Sequence, residues 1–242
     1  MTNYDFWNEW DNVTDRERHA IDGIIGARKL ILENIPNDDI VSIYVNGSFV
    51  RRDLNLESDV DTQTIVRDPK YLDVLRDLDK KYREPGMVHI DIAGYSINEL
   101  LSGQREKNKL SRTPPVRFVK HLEHYKPIFG ETLNPEEYFT RSDRDLLRGL
   151  RDFVEQDFLP LYEKGLPFSH IVKQVFWLAE GEARVNGEVP PYSWEGVKSL
   201  FDDKEHIIHQ TYEFRQDMPT DDRVKTTYIE KLKKYLKNLE KI

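Results

Sequence analysis

The stretch Val45-Asn46-Gly47-Ser48-Phe49-Val50-Arg51-Arg52-Asp53-Leu54-Asn55-Leu56-Glu57-Ser58-Asp59-Val60-Asp61 decides the fold. It reads as the end of a strand, a glycine-serine turn, a short basic and polar connection, and a second strand opening on two aspartates. The apolar run from Ile40 to Val45 before it suits a buried strand. Gly47 suits a sharp exit at which backbone must approach another group closely. Side chains alternate along a strand, so Asp59 and Asp61 emerge on one face while Val60 points into the core. Two adjacent carboxylates repel unless a cation lies between them, and Mg²⁺ prefers oxygen ligands of this kind. Asp-Val-Asp alone is more often a solvated strand face; the Gly-Ser turn in front of it favours a phosphate and metal site.

A third carboxylate follows. In Met87-Val88-His89-Ile90-Asp91-Ile92-Ala93-Gly94-Tyr95, Val88, Ile90 and Ile92 share one face and His89, Asp91 and Ala93 the other. Asp91 therefore lies on a polar strand face. Between the two strands, residues 70–82 read as a charged amphipathic helix with Leu72, Leu75 and Leu78 inward. Ahead of both, residues 14–34 read as a helix capped by Thr14 or Asp15, with an apolar stripe of Ile21, Ile24, Ile25, Leu30 and Ile31. Helix, strand, strand, helix, strand predicts a small mixed sheet with helices packed on it.

The Gly47-Ser48 and Asp59-Val60-Asp61 pattern resembles the signature of the polymerase-β-like nucleotidyltransferases. The resemblance implies that Gly47 and Ser48 hold the triphosphate of ATP and that Asp59 and Asp61 hold Mg²⁺. It also implies that Asp91 completes the metal site and serves as catalytic base. Arg51 and Arg52, beside the turn, are candidates for phosphate contact. Ser58 is a candidate to orient Asp59 by a hydrogen bond.

Residues 103–115 read as a polar, basic, mobile connection, 116–124 as helical, and 125–131 as a short strand and turn. Beyond them the pattern turns helical, over 141–161, 168–185, 198–215 and 223–242, which predicts a bundle. The expected fold class is thus α+β: a mixed-sheet catalytic domain over residues 1–134, then an α-helical bundle domain over 135–242. The segment from Gln174 to Glu182, the turn at Gly187 and the helix opening near Ser193-Trp194-Glu195 resemble the C-terminal domain of the streptomycin and spectinomycin adenylyltransferases. That resemblance implies ATP and acceptor bound between the domains but carries over no acceptor-binding residue; Glu180 and Glu182, from their place on a helix expected to face the cleft, are candidate contacts to a cationic sugar. A lysine that those enzymes carry before a helix is replaced here by Pro190-Pro191-Tyr192, with Lys198 one or two turns later.

Composition narrows the partners. The 242 residues carry a net charge of −8, which argues against a nucleic-acid binder and suits a small cationic acceptor. With no cysteine, disulfides, thiolate metal sites and a cysteine nucleophile are excluded. No apolar run reaches membrane-spanning length and the first residues lack a signal pattern, so a cytoplasmic protein is expected. The pairs His121/His124 and His206/His209 lack a carboxylate set and read as surface or packing residues. The reading that results is an adenylyltransferase acting on an aminoglycoside-like hydroxyl, an activity associated with antibiotic resistance. Two alternatives stand beside it: a non-catalytic, antitoxin-type protein that binds a partner, and AMP transfer to a protein or another metabolite. Oligomeric state is not legible.

Overall fold

The computed structural model describes residues 3–55, 58–83, 86, 88–106 and 113–241. The chain divides into two compact units, Met1–Thr140 and Arg141–Ile242.

The first unit is built on a four-stranded mixed sheet in the order β3-β2-β1-β4. Its strands are β1 (Ile40–Val45), β2 (Val60–Val66), β3 (Ile90–Ser96) and β4 (Lys126–Gly130). β1 runs antiparallel to both β2 and β4, whereas β2 and β3 are parallel. A parallel pair needs a crossover, and α3 (Tyr71–Lys81) supplies it, burying Leu72, Leu75 and Leu78. α1 (Asp15–Asn34) starts at a capping box in which the Thr14 hydroxyl accepts from the Glu17 N–H and the Glu17 carboxylate accepts from the Thr14 N–H. It buries Ala20, Ile24, Ala27 and Ile31 on one stripe.

Both helices cover one face of the sheet, where Ile43, Val45, Val60, Val66, Ile90 and Ile92 complete the core. Each fully buried aliphatic side chain there stabilises the fold by about 1.5–3 kcal/mol. A β-carbon at Gly23 would stand 2.8 Å from Ile90 Cγ1, so α1 lies close on β3. Ile25, expected in the buried stripe, is 39% exposed. Arg28 turns inward instead, donating from one guanidinium nitrogen to Asp5 Oδ1 (2.8 Å) and the Ile128 carbonyl (2.9 Å). Tyr4 donates its N–H to that same carbonyl, and Asn3 bridges to Phe129, so the N-terminal residues cover part of the β4 edge.

On the opposite face Tyr44, Tyr95, Phe118 and Tyr125 form an aromatic cluster. α4 (Ile97–Ser102) is capped by Ser96, and α5 (Pro115–Lys120) carries Phe118. The helix expected over 116–124 is two pieces, α5 and a 3₁₀ turn at Leu122–His124. The connection expected to be mobile falls partly, at residues 107–112, outside the described residues.

The second unit contains α6 (Asp143–Phe153), α7 (Leu159–Glu163), α8 (Phe168–Val185), α9 (Trp194–Ser199), α10 (Ile207–Gln216) and α11 (Asp222–Leu239). α6 and α7 are joined by a π turn at Val154–Phe158, with the Leu159 N–H donating to the Val154 carbonyl. Pro160 has no N–H to give the ordinary ladder there, which accounts for the local widening. Residues 198–215, expected as one helix, are split: α9 ends at Ser199 and His206 caps α10 through Nδ1, which accepts from the Ile208 N–H (3.2 Å). The unit's core gathers Leu147, Val154, Ile171, Val175, Leu178, Tyr228, Leu232 and Leu236. Among the described residues no helix is long and apolar enough to cross a membrane.

Candidate active site

At the end of β1 the Asn46 N–H donates to the Asp61 carbonyl (3.2 Å), carrying the ladder one residue further and bringing the turn beside β2. Gly47 there has φ +78° and ψ −148°, backbone that side chains rarely tolerate. A β-carbon on it would stand 3.5 Å from Asp61 Oδ2, so the glycine leaves the space in front of that carboxylate open. Ser48 opens a single helical turn, α2 (Ser48–Arg51), where the sequence suggests an irregular connection. Its hydroxyl donates a long hydrogen bond, 3.5 Å, to the Asp59 carbonyl. Turn and aspartates are therefore tied together through backbone.

Asp61 and Asp91 are register partners across the parallel β2–β3 pair, and so are Val60 and Ile90. Register partners share a face, so the two carboxylates leave the sheet side by side while the apolar pair enters the core. Asp91 is 39% exposed. Burial raises its carboxyl above the ordinary range, the nearby Asp59 charge raises it further, and His89 opposes them. The Asp59 charge thus lies near enough to Asp91 to act on it. His89 Nε2 lies 3.0 Å from Asp91 Oδ1. Sequence alternation puts His89 on the Asp91 face but assigns it no role; the contact is what distinguishes it.

Among the described residues no group of three or more histidine or acidic side chains encloses a metal-sized space. The donor set itself is hard carboxylate oxygen on paired strands. Mg²⁺ is commonly bound by one or two such carboxylates, with water and substrate phosphate filling the rest. Asp61 and Asp91, side by side on β2 and β3, fit the ion in that way.

The two arginines of the connection already have acidic partners. Arg52 Nε lies 2.8 Å from Glu17 Oε1, and its remaining nitrogens reach Glu17 Oε2 and the Asp11 and Asn12 carbonyls. Its guanidinium also covers the Trp10 ring, 4.7 Å from the centroid. This pair holds the Glu17 carboxyl down to about 2. Arg52 thereby anchors the connection to the start of α1. Arg51 pairs with Asp53 at 3.0 Å. The Ser58 hydroxyl bonds Asn55, donating to Oδ1 (3.0 Å) and accepting from its N–H (2.9 Å), rather than reaching Asp59.

In the second unit the acidic candidates are also engaged internally. Glu180 accepts from Arg184 one turn along α8 (3.1 Å). Glu182 Oε2 meets His206 Nε2 (3.1 Å) and accepts from the Tyr235 hydroxyl (2.6 Å). Lys198 Nζ sits over the Tyr212 ring, 4.1 Å from its centroid.

No family model matches the chain, and no curated protein sequence matches it. Its structure does have a solved counterpart, the spectinomycin adenyltransferase AAD(9) from Enterococcus faecialis, determined with ATP and spectinomycin. The two are 18% identical, with a TM-score of 0.54 over 90% of this chain and 98% of that one. In fold, this chain therefore stands near the spectinomycin-modifying adenylyltransferases that its sequence resembles.

Proposed function

We propose that this chain transfers AMP from ATP to a hydroxyl of a small acceptor and releases pyrophosphate. The observation that carries this reading is the meeting of Asp61 with Asp91 across β2 and β3, beside the Gly47 turn and within the field of Asp59. In the proposed step the acceptor oxygen bonds to the α-phosphorus and the bridge to the β-phosphate breaks. Pyrophosphate leaves, and the hydroxyl proton passes to Asp91. Gly47 and Ser48 approach the β- and γ-phosphates, and Arg51 assists. Magnesium would be held by Asp59 and Asp61 with Asp91; when bound, it neutralises charge on the reacting phosphates.

The acceptor is proposed as a cationic, aminoglycoside-like molecule encountered in the cytoplasm, with resistance to such an antibiotic as the consequence. Its support is the net charge of −8 together with the spectinomycin held by the structural counterpart. The test is pyrophosphate release from ATP and Mg²⁺ across a panel of aminoglycosides and aminocyclitols. Release that depends on an acceptor, and falls at least about a hundredfold in Asp59→Asn, supports the reading. ATP binding without turnover on any acceptor favours a non-catalytic protein that acts by binding a partner.

A further inference from the structure

The peptide group that joins Asp91 to Ile92 is held from both sides by side chains. Its carbonyl, that of Asp91, accepts from Thr62 Oγ at 2.9 Å. Its N–H, that of Ile92, donates to Asp79 Oδ1 at 2.8 Å. Thr62 is fully buried on β2, directly after Asp61. Asp79 comes from the last turns of α3, the crossover helix. Among the described residues β3 pairs with β2 alone, so alternate N–H groups along it face away from β2. The Ile92 N–H is one of these, and Asp79 meets it.

We infer that Thr62 and Asp79 are positioning residues, which clamp the Asp91–Ile92 peptide and so fix where the Asp91 carboxylate stands beside Asp61. This rests on the proposed nucleotidyl transfer only for its catalytic consequence. An edge strand is the part of a sheet most able to shift, and a displacement near 1 Å at a reacting group can cost about a hundredfold in rate. A two-sided clamp on the peptide next to the base opposes that displacement. Sequence alone conceals both residues: Thr62 reads as an ordinary strand threonine and Asp79 as one more charge on a solvated helix.

The experiment combines amide exchange with turnover in Thr62→Val, Asp79→Asn and Asp79→Ala. Valine keeps the threonine shape without the hydroxyl, and asparagine keeps an acceptor oxygen without the charge. In Asp79→Ala, exchange at the Ile92 amide should rise about tenfold or more while core amides on β1 keep their protection. Turnover number should fall about tenfold or more with the KM for ATP within about twofold of wild type, and Asp79→Asn should recover most of it. Thr62→Val should lower the turnover number in the same way. The clamp is overturned if Ile92 exchange is unchanged in Asp79→Ala, or if Asp79→Asn and Asp79→Ala are equally impaired, which would implicate charge and not the bond. Should the wild type turn over no acceptor at all, the nucleotidyl-transfer reading and the catalytic consequence fail together, while the Ile92 exchange still decides whether the clamp exists.

Discussion

Replacing Glu17 by Gln isolates the ion pair that ties the Gly47–Asp59 connection to α1. Glutamine retains the shape and can keep the capping box with Thr14, so the change removes chiefly the charge. Holding the carboxyl from the ordinary 4.5 down to about 2 corresponds to about 3.4 kcal/mol of stability. The Glu17 side chain is only 5% exposed, but that of Arg52 is 34% exposed, and water screens the pair from that side. A loss of about 2 kcal/mol is therefore expected at pH 7, above the range for exposed pairs and below the full shift. Its pH dependence has a defined sign. The folded carboxyl is the stronger acid, so the unfolded chain takes up the proton first as pH falls. The contribution is complete above 4.5 and is lost between 4.5 and 2, and by pH 4 it should have shrunk by about 0.8 kcal/mol. Urea unfolding of wild type and Glu17→Gln at pH 7 and pH 4, followed by tryptophan fluorescence and circular dichroism, gives the difference from midpoints at unchanged slope. Trp10, under the Arg52 guanidinium, should report early changes in this unit. Equal stability of the two proteins at pH 7, or a difference that does not narrow toward pH 4, would refute the reasoning.

Three other outcomes are expected. Asp91→Asn should abolish turnover yet unfold at a higher denaturant concentration at pH 7. Its folded carboxyl is raised, so the aspartate withdraws stability as pH climbs above 3.8, and the gain should vanish near pH 3. Gly47→Ala forces a side chain into φ +78° next to Asp61 Oδ2 and should cost about 1–3 kcal/mol, with ATP affinity reduced in parallel, read by thermal shift and calorimetry. Tyr228→Phe removes a fully buried hydroxyl that shares a 2.7 Å hydrogen bond with Thr211, leaving the threonine still bonded to the Ile207 carbonyl. A loss of about 1 kcal/mol in urea midpoint stability is expected, with no change in ATP binding.

The parts of the fold legible in the sequence are those whose cause is local. Leu72, Leu75 and Leu78 recur at helical spacing, Val88, Ile90 and Ile92 alternate, and Thr14 with Glu17 announces a helix start; the structure realises all three patterns. What the sequence hides depends on partners distant along the chain. Arg28 looks like a surface residue until Asp5 and the Ile128 carbonyl are brought to it. Arg52 looks like a phosphate ligand because nothing in its own segment shows that Glu17, 35 residues earlier, already meets it. Within the candidate site, strand alternation suffices to place Asp61 and Asp91 on polar faces. The register that sets them side by side arises only when β3 docks beside β2, and the approach of Asp79 only when α3 packs along β3. The break between α9 and α10 has a local source that periodicity overlooks: Phe201 stacks on His206, 4.0 Å between ring centroids, and closes the turn between them.

The clasp formed by residues 3–5 has a practical side. Trimming those residues would remove the Arg28 counterion, leaving a cation sealed inside protein with one carbonyl for company. The same cut would strip the margin of β4 and offer its bare backbone to neighbouring molecules, a known route to sheet-to-sheet clumping. Shortened versions of the chain should therefore precipitate even though every proposed catalytic group is intact, and purification handles belong at the far terminus.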